Sequence, residues 1–168
     1  AINEGPQILV DQVIIIGNQR TSTETIQREL LLKPVDGPDG ASCETIAAIV
    51  IEPLVQGAAG MRIYEAPFLH TLRALTRAHD VLLIVDEVFT GYGRTGTMFA
   101  CEQAAVTPDM MTLGKAMSAI IPMSATLVTD AIYDTFRGDR ERALWYGHTF
   151  CGNPIGAALA REVLAIYE

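Results

Sequence analysis

The stretch from 81 to 115 constrains this chain most, because it places two acids directly after one short apolar run and a lysine soon after another. The first run, Val81 to Val85, is too short to cross a bilayer and has the length of a buried strand. Asp86 and Glu87 follow it at once, and Lys115 closes a second apolar run. Open α/β sheets place their chemistry at the carboxyl ends of parallel strands. The stretch therefore predicts a site where an acid and a lysine face a common cofactor.

The rest of the chain predicts an α/β fold with a mostly parallel sheet and flanking helices. Apolar residues recur at helical spacing from 66 to 79, between apolar runs that have the length of strands. A strand–helix–strand unit of this kind is expected to be parallel. Asn153 and Pro154 are expected to begin a last helix. The predicted strands cover 7–16, 47–51, 81–85 and 124–129.

Composition excludes several classes of function. At 168 residues, with 49% hydrophobic and 19% charged residues, the chain is expected to be a folded domain. Its net charge of −8 argues against a nucleic-acid partner, which needs clustered Lys and Arg. No run is long enough to span a membrane, and the N-terminus has no signal-peptide pattern, so we expect a cytoplasmic protein. The three cysteines form no CxxC metal site.

The acids and the lysine each have two interpretations. Asp86 and Glu87 fit a metal pair poorly, since no DxD or HxxxH spacing accompanies them, and an acid at a strand end is often solvated or caps a helix. Lys115 by itself is typical of a surface lysine. Its place between Gly114 and a stretch with almost nothing polar to pair with instead favours a Schiff-base amine. Such chemistry belongs to pyridoxal 5′-phosphate (PLP), whose pyridine nitrogen needs a carboxylate.

The glycines from Gly91 to Gly96 match GxGxxG literally. A dinucleotide site would need a helix opening at the third glycine and an acid about 20 residues later. Two acids precede the first glycine and would repel a pyrophosphate. A shaped loop beside a site is therefore favoured over a dinucleotide site.

Four motifs in order resemble the class III aminotransferases, which have the fold-type I of PLP enzymes. They are IIEPLVQGAAGMRIY, LLIVDEVFTGYGRTGTMFACEQ, PDMMTLGKA and YGHTFCGNPIGAA, and the resemblance covers about 46–168. It implies that 46–168 is part of the large PLP-binding domain, with the phosphate loop upstream and the small C-terminal domain absent. Residues 1–45 are poorly aligned. The chain thus resembles the central fragment of a longer homodimeric enzyme.

The resemblance also implies roles for individual residues, with no metal. Asp86 would hold the pyridinium nitrogen, and Lys115 would carry the Schiff base and then move the proton. Val88 would pack on the cofactor ring. Thr149 would bind the PLP phosphate in the neighbouring subunit's site. The weaker candidates are Glu52 and Gln56 near the cofactor and Arg94 near the substrate.

The implied reaction moves an amino group from a small-molecule donor to a keto acceptor. In the biotin-synthesis branch these would be S-adenosylmethionine and 8-amino-7-oxononanoate. Phe89 replaces the Gln of ornithine- and GABA-type relatives and fits the small apolar residue of the biotin branch poorly. The sequence 115–122, KAMSAIIP, is one residue shorter than the family pattern and lacks its two glycines. An aminomutase, another ω-aminotransferase and a non-catalytic domain that retains the motifs remain alternatives.

Overall fold

The computed structural model describes residues 12–16 and 46–167. Apart from 12–16, the poorly aligned segment 1–45 lies outside the described residues. The strands are β1 Gln12–Ile16, β2 Ile46–Ile51, β3 Val55–Gln56, β4 Arg62–Ile63, β5 Leu82–Asp86, β6 Met110–Leu113 and β7 Ala125–Val128. The helices are α1 Ala66–Ala78, α2 Asp130–Thr135 and α3 Pro154–Tyr167, with short 3₁₀ turns at Ala100–Ala104, Lys115–Ser118 and Arg140–Arg142.

Five strands form one sheet in the order β1-β2-β5-β6-β7. The first four are parallel, and β7 joins β6 antiparallel. A two-stranded antiparallel ribbon, β3-β4, stands beside this sheet. The predicted α/β class with a mostly parallel sheet is confirmed. The β2-α1-β5 unit has the parallel pairing that was expected of it.

The core lies where α1 and the 3₁₀ turn at Ala100–Ala104 cover the centre of the sheet. Strands β2 and β5 supply buried Ile and Val or Leu side chains, and α1 contributes Leu69 and Leu72, which are almost fully buried. These leucines are three residues apart and so lie on one helical face. Burying such side chains stabilises the fold by roughly 1.5–3 kcal/mol each. The packed core therefore holds the central strands in place, and the loops that follow these strands begin from fixed positions.

An ion pair ties α1 to the start of β6. The Arg73 guanidinium binds both oxygens of Asp109, with N···O distances of 2.6 and 2.8 Å, and the Leu83 N–H donates to the same carboxylate at 2.8 Å. Burial by itself would raise the pKa of Asp109, but the hydrogen bonds from Arg73 and Leu83 and the charges of Arg73 and Arg77 hold it below its ordinary value. Asp109 is therefore ionised in the fold at neutral pH.

We expect Arg73→Met to lower the free energy of unfolding by about 3 kcal/mol at pH 7, because it leaves a half-buried carboxylate without its cation. Since the folded pKa of Asp109 is lowered, the pair stabilises the fold above the unfolded pKa and loses this effect as the pH falls. The difference between wild type and variant should therefore shrink below about pH 4. Urea unfolding at several pH values measures this. Arg137→Met is the matched control, because the Arg137–Asp134 pair is exposed; an equal loss there would contradict the prediction.

No helix in the described part of the chain is long and apolar enough to cross a membrane.

Candidate active site

The carboxyl ends of β2, β5 and β6 meet at one edge of the sheet. Ile51 pairs with Val85, so Glu52 emerges next to Asp86. Asp86 in turn pairs with Thr112, two residues before the Gly114–Lys115 step. This register follows from parallel pairing of adjacent strands. The sheet thus brings two acids and the lysine to a common edge.

Asp86 is half-buried and uses one of its two carboxylate oxygens within the protein. Its Oδ1 accepts hydrogen bonds from the Val88 N–H and the Thr112 hydroxyl, both at 3.0 Å. In the described residues Oδ2 accepts none. The carboxylate is thereby fixed in orientation with one oxygen still able to accept a hydrogen bond. Sequence reasoning missed Thr112, although its position opposite Asp86 follows once β5 and β6 are paired.

Lys115 follows Gly114 after the end of β6 and is exposed, so the apolar segment after it does not bury it as the sequence had suggested. Its backbone has φ +45°, in the left-handed region that costs a non-glycine residue energy. Its Nζ lies 5.1 Å from the centre of the Phe89 ring. Strained backbone often occurs where function fixes a side chain. The structure therefore presents an accessible primary amine in a constrained position.

Glu52 adds a second carboxylate beside Asp86. Burial raises its pKa, and the nearby negative charge of Asp86 raises it further; the N–H groups of Gly57 and Ala58 and the charge of Lys115 oppose the rise. The charges of Asp86 and Lys115 thus both act on Glu52 at this edge. The hydroxyl of Tyr64 also binds the Glu52 carbonyl at 2.7 Å, which fixes the residue's backbone.

The other predicted residues lie at different distances from this edge. The Val88 side chain packs against Gly114, where an added Cβ would lie 3.3 Å from Val88 Cγ1, so Val88 stands between the acid and the lysine segments. Gln56 is buried in the β3-β4 ribbon. Arg94 is exposed, with its guanidinium carbon 4.9 Å from the centre of the Phe89 ring. Thr149 is exposed, and no hydrogen bond joins it to the other site residues in the described part of the chain.

Glu87 turns away from Asp86 into the core. It is fully buried and accepts hydrogen bonds from the Thr90 hydroxyl at 2.5 Å and the Cys101 N–H at 2.9 Å. Burial, and then the charge of Glu87, raise the pKa of the Cys101 thiol to about 12. Glu87 therefore anchors the following loop to the 3₁₀ turn and does not converge with Asp86 as a metal pair would. Sequence reasoning assigned the cofactor role to Asp86 and no role to Glu87, because neighbouring residues carry no sign that Glu87 turns inward.

The glycine-rich segment forms turns, and no helix begins at Gly96. This agrees with a shaped loop beside the site and removes the structural basis of a dinucleotide site. The loop is held from the other side by α3, where the Tyr167 hydroxyl donates to the Tyr92 carbonyl at 2.6 Å. Asn153 begins that helix, as predicted, and its Oδ1 accepts the N–H groups of Ile155 and Gly156.

The shortened segment after Lys115 contains a strained turn. Ala119 has φ +57° and ψ −68°, and the Ile120 N–H donates to the Ser118 carbonyl at 2.6 Å. This is a classic γ-turn, a rare conformation with a positive φ that favours glycine. The Ser118 hydroxyl also donates to the Ile121 carbonyl. The loss of the family's glycines thus leaves an alanine in a conformation that suits glycine.

We expect Ala119→Gly to raise the free energy of unfolding by about 1 kcal/mol, because relief of the positive φ outweighs the extra entropy of an unfolded glycine. Urea unfolding of the two proteins measures the difference. Ala116→Gly is the matched control in the same segment. Ala116 has no positive φ, so glycine there should destabilise. If both glycines have the same effect, the γ-turn is not strained.

Comparison with known proteins identifies the family. The sequence profile described as "Aminotransferase class-III" matches residues 10–168. The chain belongs to the class-III aminotransferase family. Enzymes of this family depend on PLP. This chain has a lysine amine and a carboxylate of fixed orientation at one edge of its sheet, and PLP chemistry requires both groups.

Individual relatives cover the chain well but are much longer than it. The chain is 49% identical over 126 residues to the adenosylmethionine-8-amino-7-oxononanoate aminotransferase of Geobacter sulfurreducens, which corresponds to 73% of the chain and 28% of that relative. The structure of the enzyme of that name from Methanocaldococcus jannaschii matches with a TM-score of 0.69 at 35% identity, over 74% of the chain and 30% of its own. Ornithine δ-aminotransferase of Plasmodium falciparum matches with a TM-score of 0.77 at 28% identity, over 95% and 39%.

Proposed function

We propose that this chain carries the cofactor-holding part of a PLP-dependent aminotransferase, with residues 46–168 belonging to the large domain. One observation carries the proposal: Asp86 and Lys115 lie at the ends of neighbouring parallel strands, and among the described residues Asp86 keeps one oxygen free while the other is fixed. An amine and a carboxylate are the two groups that PLP needs from a protein. Their supply from adjacent strand ends supports the assignment.

Each residue has a role that follows from its surroundings. Lys115 would join the cofactor through its amine and, when released, hold or move a proton at its Nζ. Asp86 would accept the pyridinium N–H at Oδ2, since Thr112 and Val88 already occupy Oδ1. Val88 would pack on the cofactor ring. When bound, PLP would supply an electron sink for the substrate carbon.

Glu52 and Gln56 would shape the site from the β2-β3 side. Burial and the nearby charge of Asp86 raise the pKa of Glu52 against the opposing effect of the N–H groups of Gly57 and Ala58, which favours a carboxyl that can share a proton near Asp86. Gln56, which is buried in β3, would hold this turn in place. These two residues would therefore support the site and would not carry the reaction.

We further propose a homodimer in which Thr149 binds the cofactor phosphate in the neighbouring site. Large apolar side chains around Thr149 are exposed, among them Trp145, Tyr146 and Phe150, at 70%, 80% and 78%. Contiguous exposed apolar surface is typical of an interface. Sedimentation velocity with and without PLP tests this proposal; a monomer at every concentration would contradict it.

The proposed substrates are S-adenosylmethionine as amino donor and 8-amino-7-oxononanoate as acceptor. The names of the Geobacter and Methanocaldococcus relatives support this choice. Arg94 would help to bind an anionic group of a substrate, since it is exposed and forms no ion pair in the part of the chain that the structure describes. Another ω-aminotransferase reaction is the second candidate, supported by the fit to ornithine δ-aminotransferase, while Phe89 argues against the subgroups that have Gln at this position.

The test is to incubate the purified chain with PLP, dialyse it and reduce it with borohydride. Retained visible absorbance and a label on Lys115 would support the cofactor site. Donors are then screened by their ability to convert the bound cofactor, with S-adenosylmethionine compared with ornithine and simple ω-amino acids. A chain that retains no PLP would favour the alternative of a non-catalytic domain that keeps the motifs.

A further inference from the structure

Phe89 occupies an unusual place beside the candidate site. It is the third residue after Asp86 and is half-buried. Its ring lies on the backbone of Gly57, where an added Cβ would be 3.1 Å from Cδ1 and 3.2 Å from Cγ. Because the Gly57 carbonyl accepts hydrogen bonds from the N–H groups of Gly60 and Met61, both at 3.3 Å, the ring rests on an ordered turn. The position of the Phe89 ring is therefore set by the turn against which it packs, at the edge of the sheet.

Two cations contact this one ring. The Lys115 Nζ lies 5.1 Å from the ring centre and the Arg94 guanidinium carbon lies 4.9 Å from it. Both distances are within the reach of a cation–π interaction, which contributes about 0.5–1 kcal/mol at exposed sites. In the described residues neither cation forms an ion pair with a carboxylate. The ring is thus a specific partner for both.

We propose that Phe89 is a positioning residue: its ring holds the protonated Lys115 side chain, next to Arg94, whenever that amine is not joined to the cofactor. This inference rests on the proposed function, because it assumes that Lys115 alternates between a joined and a released state. A ring fixed on Gly57 confines the released amine near the site.

The contact between the Phe89 ring and Lys115 forms only while the amine is not joined to the cofactor. It therefore stabilises the released state and opposes the joining of Lys115 to PLP. Replacing Phe89 by leucine removes the ring and keeps an apolar side chain. We expect the apparent dissociation constant for PLP to fall by about two- to fivefold, which corresponds to the loss of one exposed cation–π interaction. Phe89→Tyr keeps an aromatic ring and should behave like the wild type. Phe68→Leu is the matched control, since within 12–16 and 46–167 that ring pairs with Tyr64 and with no cation.

A second readout does not depend on the cofactor. The lysines of the full chain are reductively methylated with ¹³C, and the Lys115 resonance is assigned by its absence in Lys115→Arg. The sequence has only Lys33 besides Lys115, so the spectrum is simple. The Lys115 methyl protons should be shifted upfield by the ring in the wild type, in Phe89→Tyr and in Phe68→Leu. They should lose this shift in Phe89→Leu.

The outcomes separate the two proposals. Loss of the ring shift together with tighter PLP binding in Phe89→Leu would support the positioning role. An unchanged Lys115 resonance, or an unchanged or weaker affinity for PLP in a chain whose wild type captures it, would overturn that role and leave the proposed function intact. If the wild type captures no PLP on Lys115, the proposed function fails, and this positioning role fails with it because Lys115 then has no joined state.

Discussion

Replacing Lys115 by alanine is expected to abolish borohydride-stable capture of PLP by the chain. The Lys115 amine is exposed at the end of β6, at the sheet edge where Asp86 ends β5, and an alanine side chain offers no nucleophile. Because the side chain is exposed, its removal should leave the fold intact. Mass spectrometry of the reduced chain and peptide mapping measure the label, which should fall to the level of a sample without PLP.

Two further variants make this result specific. Lys115→Arg keeps a cation that can contact Phe89 but cannot form a Schiff base, so it should also lose the label. Lys33→Ala removes the other lysine in the sequence and should retain the label. Equal labelling of wild type and Lys115→Ala would contradict the assignment, since the reactive amine would then be Lys33 or the N-terminus.

Asp86→Asn is expected to slow conversion of the bound cofactor by an amino donor about 10²–10³-fold, the cost of removing one fixed electrostatic partner from a reaction centre. Asparagine can still accept hydrogen bonds from Val88 and Thr112 through its oxygen. Its amide then occupies the place of Oδ2 and cannot accept the pyridinium N–H. Capture of PLP on Lys115 should persist, so the effect falls on the chemistry and not on attachment.

Stopped-flow absorbance with a saturating donor measures the conversion rate. Thr112→Val is the matched control, because it removes one hydrogen bond to Oδ1 and keeps the carboxylate charge. We expect it to slow conversion about tenfold or less, equivalent to the roughly 0.5–1.5 kcal/mol of one typical hydrogen bond. If Asp86→Asn and Thr112→Val have equal effects, the charge of Asp86 is not what the reaction needs.

Much of the fold follows directly from local sequence. The apolar run 81–85 has the length and residue types of a buried strand, and the repeat of leucines on α1 marks the face that covers it. Asn153 predicts the start of α3, because its side chain can accept hydrogen bonds from the first free N–H groups of a helix. These features depend on residues close together in the chain, so pattern and spacing are sufficient to predict them.

The arrangement of the site was harder to predict from the sequence. The sequence places Asp86 and Lys115 after strands, but the bond between Asp86 and Thr112 exists only because β5 and β6 pair in one particular register. The inward turn of Glu87 and the strained turn at Ala119 are similar cases. Each depends on what a distant segment offers as a neighbour.

The sequence by itself determined the α/β class, the family and the two groups with cofactor chemistry, because these reside in residue type and short-range order. Only the tertiary structure decided which oxygen of Asp86 stays free, and that Phe89 is shared by Lys115 and Arg94 on a surface made by Gly57. The physical reason is that hydrogen bonds and cation–π contacts act over a few ångströms. They are set by the packing of separate strands and loops, which no local pattern encodes.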